Sequence, residues 1–124
     1  MSAAAILITP VPRYLAERSS PEDEHYVFAY TITIANQGDE RVTLISRRWL
    51  ITDANGKRTE VEGSGVVGEQ PAIAAGEDYT YTSGVSLETP VGVMEGFYLL
   101  RRDDGSEFEA PIAPFRLAQP NVIH

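Results

Sequence analysis

Between residues 24 and 36 bulky side chains occupy every second position. Tyr26, Phe28, Tyr30, Ile32 and Ile34 share one parity, whereas Val27, Ala29, Thr31, Thr33 and Ala35 share the other and are smaller. A period of two is the signature of a β-strand, because successive side chains leave a strand on opposite sides; a helix would scatter the same residues around its axis. The run predicts a long strand with a bulky face turned to a core and a modest face turned outward.

The same period recurs along the chain. In residues 41–52, Val42 and Leu44 share one parity and Trp49 and Ile51 the other. The inward face changes within the strand, which predicts a β-bulge near Ser46. Asp53-Ala54-Asn55-Gly56 closes this strand, Asn-Gly being the strongest short hairpin signal, and Lys57 to Glu62 is expected to return. Gly63 to Pro71 reads as an irregular loop. Tyr79, Tyr81, Val85 and Leu87 alternate along a further strand. Pro90 and Gly92 interrupt before a buried strand from Met94 to Arg102. Asp103-Asp104-Gly105-Ser106 is a hairpin turn, after which Glu107 to Ile112 returns with Phe108, Ala110 and Ile112 inward, and a tail follows from Pro114. One short helical turn is expected around Ser19-Ser20-Pro21-Glu22, since proline suits a first helical position. About seven strands separated by turn signals predict an all-β, immunoglobulin-like or fibronectin type III-like antiparallel β-sandwich. Trp49 sits where such sandwiches bury a tryptophan.

The chain has 124 residues, no cysteine and two histidines, His25 and His124. This composition excludes disulfides, thiolate metal sites and cysteine nucleophiles. It also excludes a multi-histidine zinc site, and leaves a Ser-His-Asp triad only if His25 serves it. Ten basic against eighteen acidic residues give a net charge of −8. Such a field repels polyanions, so neither nucleic acid nor an anionic membrane is expected as a partner. The first ten residues lack a basic segment, and Pro10 and Pro12 break their apolar run, so no signal peptide is expected. No apolar run reaches the roughly 18 residues of a membrane span. The default expectation is a cytoplasmic protein of bacterial type, with which the lack of cysteine is compatible.

Four groups of residues could carry chemistry. Gly63-Ser64-Gly65-Val66-Val67-Gly68 matches the dinucleotide-binding spacing G-x-G-x-x-G. Pro71 stands where a helix would have to run and no βαβ unit surrounds the motif, so a dinucleotide fold is rejected. Two readings stay open. Backbone N–H groups of Gly63, Gly65 and Gly68 could cradle a phosphate, with Arg47, Arg48, Lys57 and Arg58 supplying positive charge. Alternatively, the glycines only permit positive φ in a loop. Glu22-Asp23-Glu24-His25 is the densest acidic cluster, but neighbours on a strand diverge and a solvated loop is the plainer reading. Asp53 and Asn55 open like a calcium loop, yet Lys57 takes the third ligand slot and no metal site is assigned. Glu107 and Glu109 share a face on which they serve solubility rather than acid–base work. No catalytic residue, metal ligand or cofactor is expected. Tyr79 and Tyr81 would mark a protein-binding face if exposed.

Four segments taken in order resemble the ApaG family: Phe28 to Ile34; Leu44 to Gly56; Gly65-Val66-Val67-Gly68-Glu69-Gln70-Pro71; and Gly96-Phe97-Tyr98 with Phe108, Ile112 and Phe115. The resemblance runs from about residue 10 to residue 120 and implies a single ApaG domain over residues 1–124. It departs at Arg48, where many members carry histidine. It implies a fibronectin type III-like sandwich. Bacterial members are linked with cobalt resistance and magnesium efflux. Eukaryotic relatives carry the domain at the end of F-box proteins and of a DNA-polymerase-interacting protein, where it looks like a protein-binding module. The resemblance also implies pyrophosphate binding at the glycine loop. The expected function is therefore a non-enzymatic interaction module acting on divalent-cation homeostasis through a protein partner. The alternative is a phosphate-ligand binder using Gly63, Gly65, Gly68 and Arg47. A homodimer paired through open strand edges is an ordinary outcome for such a domain.

Overall fold

The computed structural model describes residues 5–120; His124 lies outside the described residues. Eight strands form two antiparallel sheets. The strands are β1 (Ile6–Tyr14), β2 (Tyr26–Asn36), β3 (Val42–Asp53), β4 (Arg58–Ser64), β5 (Ala72–Ile73), β6 (Asp78–Leu87), β7 (Val91–Arg102) and β8 (Glu107–Ala118). One sheet runs β1-β2-β6 and the other β4-β3-β7-β8, with β5 pairing the start of β3. Their inner faces enclose a core built on Phe28, Ile32, Ile34, Leu44, Trp49, Tyr98 and Leu100, each at most 2% exposed. Burying a side chain of this size stabilises by roughly 1.5–3 kcal/mol before its ordering entropy is subtracted. Trp49 is the hub, with Tyr30, Phe115 and Tyr98 set around it at centroid distances of 5.4, 5.9 and 6.3 Å. The all-β sandwich read from the alternation is the observed fold.

Three differences from the expected elements have plain causes. The strand β1 replaces what looked like a broken apolar run. Its even residues face inward and its odd ones outward. The amides of Gln37 and Leu15 bond to the carbonyls of Ala5 and Val27, so odd positions form the hydrogen-bonded pairs with β2. Pro10 and Pro12 are therefore at positions whose N–H would face the open edge, where proline sacrifices no ladder bond. Next, β7 starts at Val91 and holds Gly92 within it, and β8 continues through Pro114 to Ala118 with a register shift opposite Met94 and Gly96. A bulge on this edge strand absorbs the proline. Finally, β4 runs past Glu62 to include Gly63 and Ser64. The turn at Pro21–Asp23 has proline at its first position, as expected, and a second one covers Ala16–Arg18.

The two outer faces differ in character. That of the larger sheet carries ion pairs: Arg48 with Glu60 and Glu62, and Arg101 with Glu107. That of the smaller sheet is nearly uncharged. Registers place Thr9, Thr33 and Thr80 in one row and Val11, Thr31 and Thr82 in the next. Thr31 bonds Thr82 at 2.8 Å and Thr33 bonds Thr80 at 3.0 Å through their hydroxyls. Leu7 and Val11 stand 51% and 58% exposed. The flanking rows, Leu7 with Ala35 and Asp78 and Arg13 with Ala29 and Gly84, add only Asp78 and Arg13 as charges, at diagonal corners. In a chain with 23% charged residues this is an uneven distribution of charge.

Candidate functional site

The predicted bulge shapes the glycine region. Leu44 pairs with Leu100 and Ser46 with Leu99, so Ile45 is the extra residue in β3. Before it Val42 and Leu44 face the core, and after it Trp49 does. The same change of parity turns Arg47 toward the space between the sheets and Arg48 away from it. Arg48 lies on the outer face between two carboxylates. Lys57 pairs with Glu88. Of the four cations near the loop in sequence, Arg48 and Lys57 are thus neutralised elsewhere.

The structure brings Arg47, Gly63 and Gly65 together and leaves Gly68 apart. Gly63 is a strand residue opposite Arg47. A Cβ on Gly63 would sit 2.7 Å from Arg47 Nη1 and 2.9 Å from its Cζ, so the missing side chain makes room for the guanidinium. Arg47 Nη1 donates to the carbonyls of Gly65 and Ser64 at 2.9 and 3.2 Å. The Gly65 amide donates to the Ile45 carbonyl at 2.8 Å, and Gln70 Nε2 to the same oxygen at 2.9 Å. Val66 and Glu69 exchange their amides across a tight turn, at 2.8 and 2.9 Å. The loop therefore satisfies backbone groups that the bulge removes from the regular ladder. An anion-binding nest needs N–H groups that converge on a ligand, and the Gly65, Val66 and Glu69 amides are engaged within the protein. Gly68 has φ +79° and lies at the exposed tip beside Val67, which is 62% exposed with φ +48°.

Tyr81 was expected to mark a binding face if exposed. It is instead buried, and its hydroxyl bonds that of Tyr98 across the two sheets. Burial pushes Tyr81 up to about 12, with the Tyr98 hydrogen bond opposing, and burial raises Tyr98 further. Tyr79 is half-buried and donates to Glu69 at 2.9 Å. Glu22, Asp23, Glu24 and His25 are exposed, and among the described residues no three His, Asp or Glu side chains gather as metal ligands would. Glu107 and Glu109 are exposed on β8. Sequence reasoning missed that Arg47 shares the inter-sheet space with Trp49 and Tyr30. The signal was present, since the bulge that moves Trp49 inward moves every odd residue after it.

The family model of the ApaG domain matches residues 16–102. The chain belongs to the ApaG family. A protein ApaG of Photobacterium profundum is 54% identical over 123 residues, covering 99% of this chain and 97% of that one. One from Shewanella loihica is 59% identical over 111 residues, covering 90% of this chain and 88% of that one. Among solved structures, a Northeast Structural Genomics Consortium target superposes with TM-score 0.93 at 49% identity, covering 98% of this chain and 92% of that one. A Bordetella pertussis protein named ApaA gives TM-score 0.91 at 47% identity, covering 94% and 95%. These ApaG-family relatives carry no enzymatic name. No helix among the described residues is long and apolar enough to cross a membrane.

Proposed function

We propose that this ApaG-family chain is a non-enzymatic, cytoplasmic interaction module that docks a protein partner on the outer face of β1, β2 and β6 and acts on cobalt and magnesium handling through that partner. The observation that supports this reading is the nearly uncharged face of threonine rows with exposed Leu7 and Val11, set on a molecule of net charge −8. Interface cores are depleted in charge, and such a patch on an acidic protein offers a partner a face that needs little charge desolvation. The link to divalent cations rests on the family resemblance. A phosphate cradle in the glycine loop has less behind it, because three of the loop amides already serve the fold.

Complementation tests the reading. In bacteria lacking the protein and scored for cobalt sensitivity, Val11→Glu and Thr82→Lys are expected to fold and fail to complement. Glu109→Lys on the opposite sheet is expected to complement fully. Face variants that complement as well as the parent would refute the docking role.

A further inference from the structure

A cleft of about 170 Å³ opens between the sheets on the side where β4 faces β6. The other side is closed by contact of β1 with β8. Arg47 forms one wall, with Ser83 opposite and Tyr30, Trp49, Val61 and Met94 around it. We propose that this cleft is a binding site for a small apolar monocarboxylate, held by Arg47.

Three observations converge on it. First, among the described residues five cations have no carboxylate within ion-pair distance, and of these Arg13, Arg18, Arg58 and Arg116 are exposed whereas Arg47 is half-buried. Nη1 is engaged by two carbonyls, and Nε and Nη2 pair with no other described residue. A half-buried guanidinium without an anion is an unfinished arrangement, because a carboxylate matches its planar fork. Second, the indole Nε1–H of Trp49 is buried and pairs with no described protein atom. Buried donors are nearly always satisfied, and this one is closed to solvent, so it gains an acceptor only where a ligand entering the cleft shifts the wall that Trp49 forms. Third, Ile51, Val61, Val85 and Met94 give the otherwise polar cleft one apolar stretch beside Arg47, and a cavity of about 150 Å³ is known to admit one benzene ring. One cation inside a field of net charge −8 favours a singly charged ligand over a multiply charged phosphate. The chemistry selected is a carboxylate head with a short aliphatic or aromatic body, at a place distinct from the loop amides.

The single tryptophan makes the test direct. The full-length protein, labelled with nitrogen-15, is titrated with sodium butyrate at constant ionic strength while the Trp49 indole N–H resonance is followed. A saturable shift with a millimolar midpoint is expected. 1-Butanol, which lacks the charge, and inorganic phosphate, which lacks the apolar body, are expected to leave the resonance in place. Arg47→Gln is expected to weaken binding about tenfold, the effect of removing one charge-assisted contact. Because Arg47 also holds the loop, Ser83→Leu serves as a second variant that fills the cleft from the opposite sheet and is expected to abolish the shift. No saturable shift with butyrate, a phosphate response equal to it, or undiminished binding in well-dispersed spectra of both variants would overturn the assignment.

Discussion

Arg47 and Arg48 are neighbours of the same type with opposite fates. One reaches over Gly63 into the inter-sheet space, and the other is held by Glu60 and Glu62 on the outer surface. Gly65 is equally specific in what it permits. Its φ is +56°, and a Cβ there would run into the Glu69 carbonyl oxygen. Gly65→Ala is expected to destabilise by about 2–4 kcal/mol, read as a lowered urea midpoint with unchanged slope. A variant at this position would lose any ligand through loss of the loop itself, so it cannot separate binding from folding. The tyrosine pair makes a pH prediction. Tyr81 is raised to about 12 by burial, against an ordinary value of 10.0. The unfolded chain therefore ionises first. Stability should be full below pH 10 and fall as pH rises toward Tyr81's folded value, by about 3 kcal/mol from Tyr81 alone, with Tyr98 deepening the loss. Urea midpoints measured across that window check it, and Tyr81→Phe should flatten the decline. What the residues alone made legible was type and parity. The sequence put Tyr98 on a buried strand but left Tyr81 open to either face, and nothing in it showed that the two, 17 residues apart, would meet from different sheets.

At the scale of elements, a single inserted residue organises the site. Ile45 lets one strand serve the core with even residues before it and odd residues after it. The bulge was legible in β3 because Val42, Leu44, Trp49 and Ile51 cannot share a face otherwise. Deleting Ile45 would leave Trp49 and Leu44 an even number of positions apart, both still facing the core of a regular strand, but would remove the carbonyl that accepts from the Gly65 amide and Gln70 Nε2. The deletion is expected to keep a cooperative thermal transition at a lowered midpoint, with the loop freed from its anchor, and a midpoint equal to that of the parent would contradict the role given to the bulge. The strand β1 was illegible for the opposite reason. Two prolines argue against a central strand, and only the pairing pattern reveals that both fall at positions facing an open edge. The two-residue strand β5 was hidden as well, since Ala72 and Ile73 are too few to show a period and are recruited by the edge of β3 that β4 leaves free.

For the whole molecule, the decisive feature is the unequal treatment of its two outer faces. The alternation between residues 24 and 36 already placed small residues outward, so the composition of the central strand of that face was readable. That β1 and β6 would extend it into a continuous uncharged surface was not, because their registers are set by contacts distant in sequence. The central proposal is that this surface docks a protein partner. The most direct measurement incorporates a photo-crosslinking amino acid at Thr82, at Val11, or at Asp104 on the exposed hairpin turn, and irradiates living cells expressing each form. A discrete adduct, the same from Thr82 and Val11 and absent from Asp104, is the predicted result, and its mass will separate a foreign partner from a second copy of the chain. Adducts formed from Asp104 but not from the sheet face would contradict the account.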